Sequence, residues 1–297
     1  MESKDNFRQK IVAVLKKERP NLTDSSLVTY SSILHTISKK IDQNNTDISI
    51  FENYEPILEL LKDLAPASRK TRLSALFVIT GQKIYREQML EDCKISNDAS
   101  REQKKTVKQE ESWITMQEEK NIYDHFFKNT TQIFKNKQAL NYNVINNYFL
   151  LACLGGIAGI PPRRSMDYAE LKVKNYDVNK DNYYKDGFFH FQIYKTSKAY
   201  GEQTIDIKTL APDVYKLLQK WIKINPTDYL LFGENKNKLT SPQITKRFNM
   251  LFNRKASTNI LRHAFLSEKY KDIQEEMQKD ASMMAHTTKE QGLYIKK

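Results

Sequence analysis

Along the first hundred residues the apolar positions recur every three or four places, a period that predicts helices rather than strands. Phe7 to Lys17 is a short amphipathic segment ended by Pro20. Thr23 or Asp24 can cap the next helix, where Leu27, Tyr30, Ile33, Leu34, Ile37 and Ile41 share helical spacing. Ile57 to Leu64 has Pro56 in its first turn and Pro66 just beyond its end. Arg69 to Gly81 presents Leu73, Leu76, Phe77 and Ile79 on one face, and Tyr85 to Cys93 is a fifth candidate. Together they predict a bundle of four or five helices. The apolar content then collapses between Ile95 and Glu111, where SNDASREQKKTVKQEE has Val107 as its one large aliphatic residue. A linker, or a solvated helix joining two domains, is expected there. The division expected is a bundle over 1–97, a linker over 98–112 and a second domain over 113–297.

In the second part a helix is predicted near Met116 to Asn129, and a more apolar, buried one at Val144 to Leu154. Gly155, Gly156 and Gly159 then break the pattern. FFHFQIY (188–194) and the alternating QTIDI (203–207) read as strands joined by the polar KTSKAYGE, a β-hairpin with a long loop. Helices are predicted at Asp213 to Ile222, Ser241 to Phe252, Asn259 to Tyr270 and Ile273 to Ala285. The fold class is mainly α with a small β-sheet: an N-terminal helical bundle followed by a mixed α+β domain.

The charge sharpens this division. Residues 1–112 carry 19 Lys+Arg against 17 Asp+Glu, while 113–297 carry 29 against 19. The positive excess belongs to the second part, which is the better candidate for gripping a polyanion. The longest apolar run, Tyr148 to Ile160, contains three glycines, so no membrane span is predicted. MESKDNFRQK has no apolar core after its charges and does not read as a secretory signal. Two cysteines, Cys93 and Cys153, cannot make a disulfide scaffold or a four-ligand zinc site, and a reducing intracellular compartment is expected.

Four polar features follow one another in the second part: Pro161-Pro162-Arg163-Arg164, the Lys195/Lys198 hairpin loop, Leu261-Arg262-His263, and Met284-Ala285-His286 with Tyr294. Singly, each has an ordinary explanation as surface charge, solvated loop, buried polar contact or packing. As an ordered set, they resemble the tyrosine recombinase/integrase family, whose members join a helical core-binding domain to a mixed catalytic domain. The family's first box is an Arg with an acidic residue three positions on and a Leu after that. GIPPRRSMDYAEL fits it best with Arg164, Asp167 and Leu171, and Arg163 is the alternative. The family's catalytic Lys sits in a hairpin loop, here Lys195 or, second, Lys198. The second box, His-x-x-Arg followed by His, is matched by Asn259, Arg262 and His263. The third, a Leu-Gly-His-like turn with a Tyr about nine residues later, is matched by MAHTTKEQGLY, with His286 and Tyr294 eight apart.

Two departures stand out. Asn259 replaces the first His, so an amide that can donate to a phosphate oxygen stands where a proton carrier is usual. The sequence ends three residues after Tyr294, so the tail helix that many members pass to a neighbour is not expected. The variants look most like recombinases of large DNA viruses and mobile elements.

The resemblance implies a site-specific recombinase or integrase acting through a 3′-phosphotyrosine, with Arg164, Lys195, Arg262, His286 and Tyr294 catalytic. Two guanidinium forks suit the non-bridging oxygens of a five-coordinate phosphorus. A phenol, unreactive at its ordinary pKa of about 10, needs such a positive setting to attack. No cofactor is implied. There is no GxxxxGK[ST] run or His/Cys cluster, and Glu110-Glu111 and Glu275-Glu276 read as solvated helix faces. The partner implied is double-stranded DNA, bound by a homo-tetramer. Arg69, Lys70, Arg72, Lys246, Arg247, Arg254 and Lys255 are candidate phosphate contacts. A type IB topoisomerase-like enzyme and a catalytically weakened DNA-binding relative are the alternative readings.

Overall fold

Helix ends in this chain fall where the sequence supplies caps. The computed structural model describes residues 2–136 and 139–295. Among these the chain divides into two compact units, Met1–Lys104 and Lys105–Lys297.

The first unit holds α1 (Glu2–Glu18), α2 (Asp24–Ile41), α3 (Tyr54–Leu61), α4 (Pro66–Thr80) and α5 (Lys83–Arg101). Thr23 caps α2 by accepting from the Ser26 amide at 3.3 Å. Pro66 opens α4, and Gly81 ends it in the left-handed conformation at φ +70°. Phe7, Ile11, Leu34, Phe51, Leu76 and Tyr85 are buried in one apolar core, as the helical spacing requires.

The second unit begins with α6 (Val107–Ser112), closed by a capping box between Thr106 and Gln109. The segment 98–112 thus carries the end of α5 and all of α6. Next come α7 (Met116–Asn136), α8 (Tyr142–Leu154) and α9 (Ser165–Ala169). From Tyr148 to Leu154 every residue of α8 is buried, so α8 is the central rod of this unit. A four-stranded sheet lies beyond it: β1 (Leu171–Lys172), β2 (Asn182–Lys185), β3 (Phe188–Phe191) and β4 (Gln203–Asp206) in that order. β1 and β2 are parallel, and the other two pairs are antiparallel. The hairpin loop holds one turn of helix, α10 (Ser197–Tyr200). Then follow α11 (Ile207–Leu210), α12 (Pro212–Ile224), α13 (Ser241–Phe252), α14 (Thr258–Met283) and α15 (Thr288–Tyr294).

Three expectations need correction. The hairpin strands stop earlier than their composition suggests, because the backbone amides of Gln192 and Ile193 turn away to the side chain of Asn182. Strands β1 and β2 lacked a sequence signal: one is two residues long, and the other, NYYK, has no alternation. Finally, the two helices expected at 259–270 and 273–285 are one. No Gly or Pro interrupts KYKDIQEEMQ, and Lys271 pairs with Glu275 across the expected break at 3.6 Å.

Candidate nucleic-acid cleavage site

The first box is built at the mouth of α8. Gly155 and Gly156 let the chain leave the helix through a tight space. A Cβ on Gly155 would lie 1.5 Å from Oε1 of Glu119, and one on Gly156, whose φ is +92°, would lie 2.5 Å from the Phe265 ring. Only glycine fits both positions. The chain emerges at Arg163 and Arg164, and Arg164 caps the short helix α9.

Asp167, 2% exposed, is the anchor. Its partner is Arg163, four residues earlier, through Nε to Oδ2 at 2.9 Å. The Arg163 guanidinium also lies over the rings of Phe191 and Tyr194, at 4.1 and 4.8 Å from their centroids. Arg163 is therefore fixed on three sides. Arg164 and Arg262 are different: both are half-buried, and neither is committed to a hydrogen bond or ion pair among the described residues. They nevertheless sit in one electrostatic neighbourhood. Burial lowers the Arg262 pKa from its ordinary value, and the nearby charge of Arg164 lowers it further. Burial also raises the Asp167 carboxyl, against the opposing pull of Arg163, Arg164 and Arg262.

Asn182 was missed by sequence reasoning, having no motif to mark it. It is fully buried and uses its whole amide. Nδ2 donates to the carbonyls of Asp167 and Ile193 at 3.0 and 2.9 Å, and Oδ1 accepts from the Gln192 and Ile193 amides. One side chain thus ties the first box to the strand that leads into the hairpin loop. Tyr194, held by Arg163 and by its hydroxyl to the Gly201 carbonyl at 2.6 Å, is the last fixed residue before Lys195. Lys195 and Lys198 beyond it are both exposed.

Asn259, Arg262 and His263 lie on the first two turns of α14, which Ser257 caps. Asn259 and Arg262 are three apart and share a face. Asn259 and His263 are exposed.

The third box is elsewhere. Ala285 adopts φ +55° where α14 ends, and this left-handed turn presents His286, whose amide returns to the Ala281 carbonyl at 3.0 Å. The Tyr294 ring stacks on His286, with centroids 5.6 Å apart and planes 13° from parallel. Tyr294 itself is 75% exposed. From Arg262 to Ala281 the chain is uninterrupted helix, which at about 1.5 Å per residue spans about 28 Å. The structure therefore makes two clusters: Arg163, Arg164, Arg262 and Asp167 at one end of α14, and His286 with Tyr294 at the other.

No family model matches the chain, and no curated protein matches it. Among solved structures, the crystal structure of XerA recombinase aligns with 90% of this chain and 84% of its own, at 12% identity and a TM-score of 0.34. No residue's role transfers from so distant a likeness.

The basic residues singled out for DNA divide by their partners. Arg69 places its fork on Asp92, at 2.8 and 2.6 Å, and gives its third nitrogen to the Lys62 carbonyl. Arg72 bonds Ser68 one turn back. Arg247 donates to the Phe232 carbonyl at 3.1 Å, and Arg254 to the Trp113 carbonyl and Glu118. Lys246 and Lys255 are exposed, and Lys70 is half-buried. Among the described residues no helix is long and apolar enough to cross a membrane.

Proposed function

We propose that this chain is a site-specific DNA recombinase that cuts and rejoins duplex DNA through a covalent 3′-phosphotyrosine. One observation carries the reading: Arg164 and Arg262, two uncommitted and half-buried guanidinium groups, are held beside each other while the nearby buried carboxylate is already paired with Arg163. Folding has placed like charges together without neutralising them, which costs stability unless an anion is to enter. A phosphodiester gaining negative charge fits that gap, and donors fixed in advance stabilise its transition state most.

In this scheme the Tyr294 oxygen bonds to phosphorus and its proton passes to water. The bond from phosphorus to the 5′ oxygen breaks, the electron pair leaves with that oxygen, and Lys195 supplies the proton that makes a 5′-hydroxyl. The phosphotyrosine conserves the bond energy, so a second 5′-hydroxyl can reverse the step on another strand.

A pool of nicked duplexes with a randomised core tests this, since the nick lets the 5′ fragment diffuse away and traps the adduct. A covalent protein–DNA species is expected from the wild-type chain and none from Tyr294→Phe. Sequencing the attached DNA gives the target. No adduct across the pool refutes the enzyme; an adduct that survives Tyr294→Phe refutes the nucleophile. Supercoil relaxation by a lone chain, without strand exchange, would favour the topoisomerase-like alternative.

A further inference from the structure

The two halves of the proposed site stand at opposite ends of one straight helix, and the middle of that helix touches nothing. Every residue from Leu266 to Glu276 is exposed, so for about three turns α14 stands clear of the unit's core. Yet this stretch is not polar all round. Leu266, Tyr270 and Ile273, 48%, 44% and 53% exposed, form an apolar stripe at intervals of four and three, and Met277 continues it. At the tip, Met283, Met284, Leu293 and Ile295 are also exposed around Tyr294. We propose that α14 and α15 form an arm that docks on a second copy of this chain and delivers Tyr294 to that copy's Arg164 and Arg262. The proposal rests on the phosphotyrosine reading above.

Three observations select a second copy as the occupant. The first is incompleteness: an arginine cluster without a nucleophile and a nucleophile without arginines complete each other only between two chains, given about 28 Å of helix between them in one. The second is charge. From Leu266 to Met283 the arm carries five carboxylates and three lysines, although residues 113–297 as a whole carry 29 Lys+Arg against 19 Asp+Glu. An arm of net negative charge is repelled by DNA phosphates and drawn to the basic surface of its own kind. The third is apolar area at the receiving end. Met166, Ile193 and Tyr200, 46%, 53% and 69% exposed, flank Arg164 and Lys195 in sequence and offer contact for the residues around Tyr294. Such donation is head-to-tail, and it closes into a ring if each copy gives its arm to the next.

Mixing two inactive variants decides the matter. Tyr294→Phe retains the arginines, Arg262→Ala retains the tyrosine, and one is tagged so that their adducts separate by size. With the nicked pool, neither variant forms adduct alone. An equal mixture is expected to give about a quarter of the wild-type adduct, the share of random pairings with one intact donor and one intact acceptor. All of it should lie on the Arg262→Ala chain. No adduct in the mixture, with the wild-type chain active, overturns the proposal and leaves the enzyme reading standing. No adduct from the wild-type chain overturns both. Leu266→Asp with Ile273→Asp, at exposed positions where folding is not at stake, should lower wild-type adduct at least tenfold and leave the DNA-bound protein monomeric in sedimentation. Unchanged adduct and assembly in that variant would also overturn the proposal.

Discussion

At the scale of single residues, neighbours in sequence hold different tasks. Arg163 is spent on Asp167, Phe191 and Tyr194, while Arg164 is left to meet a ligand. Arg164→Ala and Arg262→Ala are expected to leave DNA affinity within a few-fold while lowering the cleavage rate by about two to three orders of magnitude, the usual effect of removing a transition-state donor. Filter binding and single-turnover adduct formation separate the two effects. Equal loss of binding and rate would mean that both groups act on the ground state. Asn182→Ala strips four hydrogen bonds from a fully buried position and should cost about 2–4 kcal/mol in urea unfolding. Ala285 pays for its left-handed backbone; Ala285→Gly should raise stability by about 0.5–1 kcal/mol in the same assay.

At the scale of elements, the junction of α7 with the end of α8 is a titratable one. Glu119 is completely buried, and neither of its carboxylate oxygens has a hydrogen-bond partner among the described residues. Burial pushes its pKa up to about 8. The folded state therefore prefers the neutral acid. This contribution to stability is fully present below the unfolded value of about 4.3, is lost as pH rises towards 8, and falls no further above that. Glu119→Gln should be close to neutral at pH 4 and stabilising by about 3 kcal/mol at pH 8, measured by chemical denaturation at both. Equal effects at the two values would show that Glu119 is ionised in the fold. The same scale explains the merged helix. Periodicity found both halves of α14, but only continuity of the backbone hydrogen bonds could show that no turn separates them, and it is that continuity which carries Tyr294 away from Arg262.

At the scale of the whole molecule, two units each bury their own core, and the positive excess lies in the second. If several of its cations neutralise phosphates, the affinity for duplex DNA should fall steeply with salt, by roughly a thousandfold between 50 and 200 mM for about six contacts. A shallow slope in a titration at four salt concentrations would count against a phosphate-gripping surface. Lys246→Ala and Lys255→Ala should each reduce that slope by about one, because both side chains are exposed. Arg69→Ala should instead lower stability, since its fork serves Asp92 inside the first unit.

The sequence by itself determined the helices, because a 3.6-residue period with caps such as Thr23 and Thr240 is local information. It also determined the inventory of chemical groups and their order along the chain. Only the tertiary structure decided which of those groups meet. That Arg163 rather than Arg164 pairs with Asp167 depends on two rings arriving from the end of β3. That Asn182 holds the hairpin depends on β2, a strand with no pattern of its own. That Arg262 and Tyr294 stand apart depends on a helix that never turns. In each case the deciding contact joins residues distant in sequence, or depends on the direction taken by a rigid element, and neither is written in local spacing.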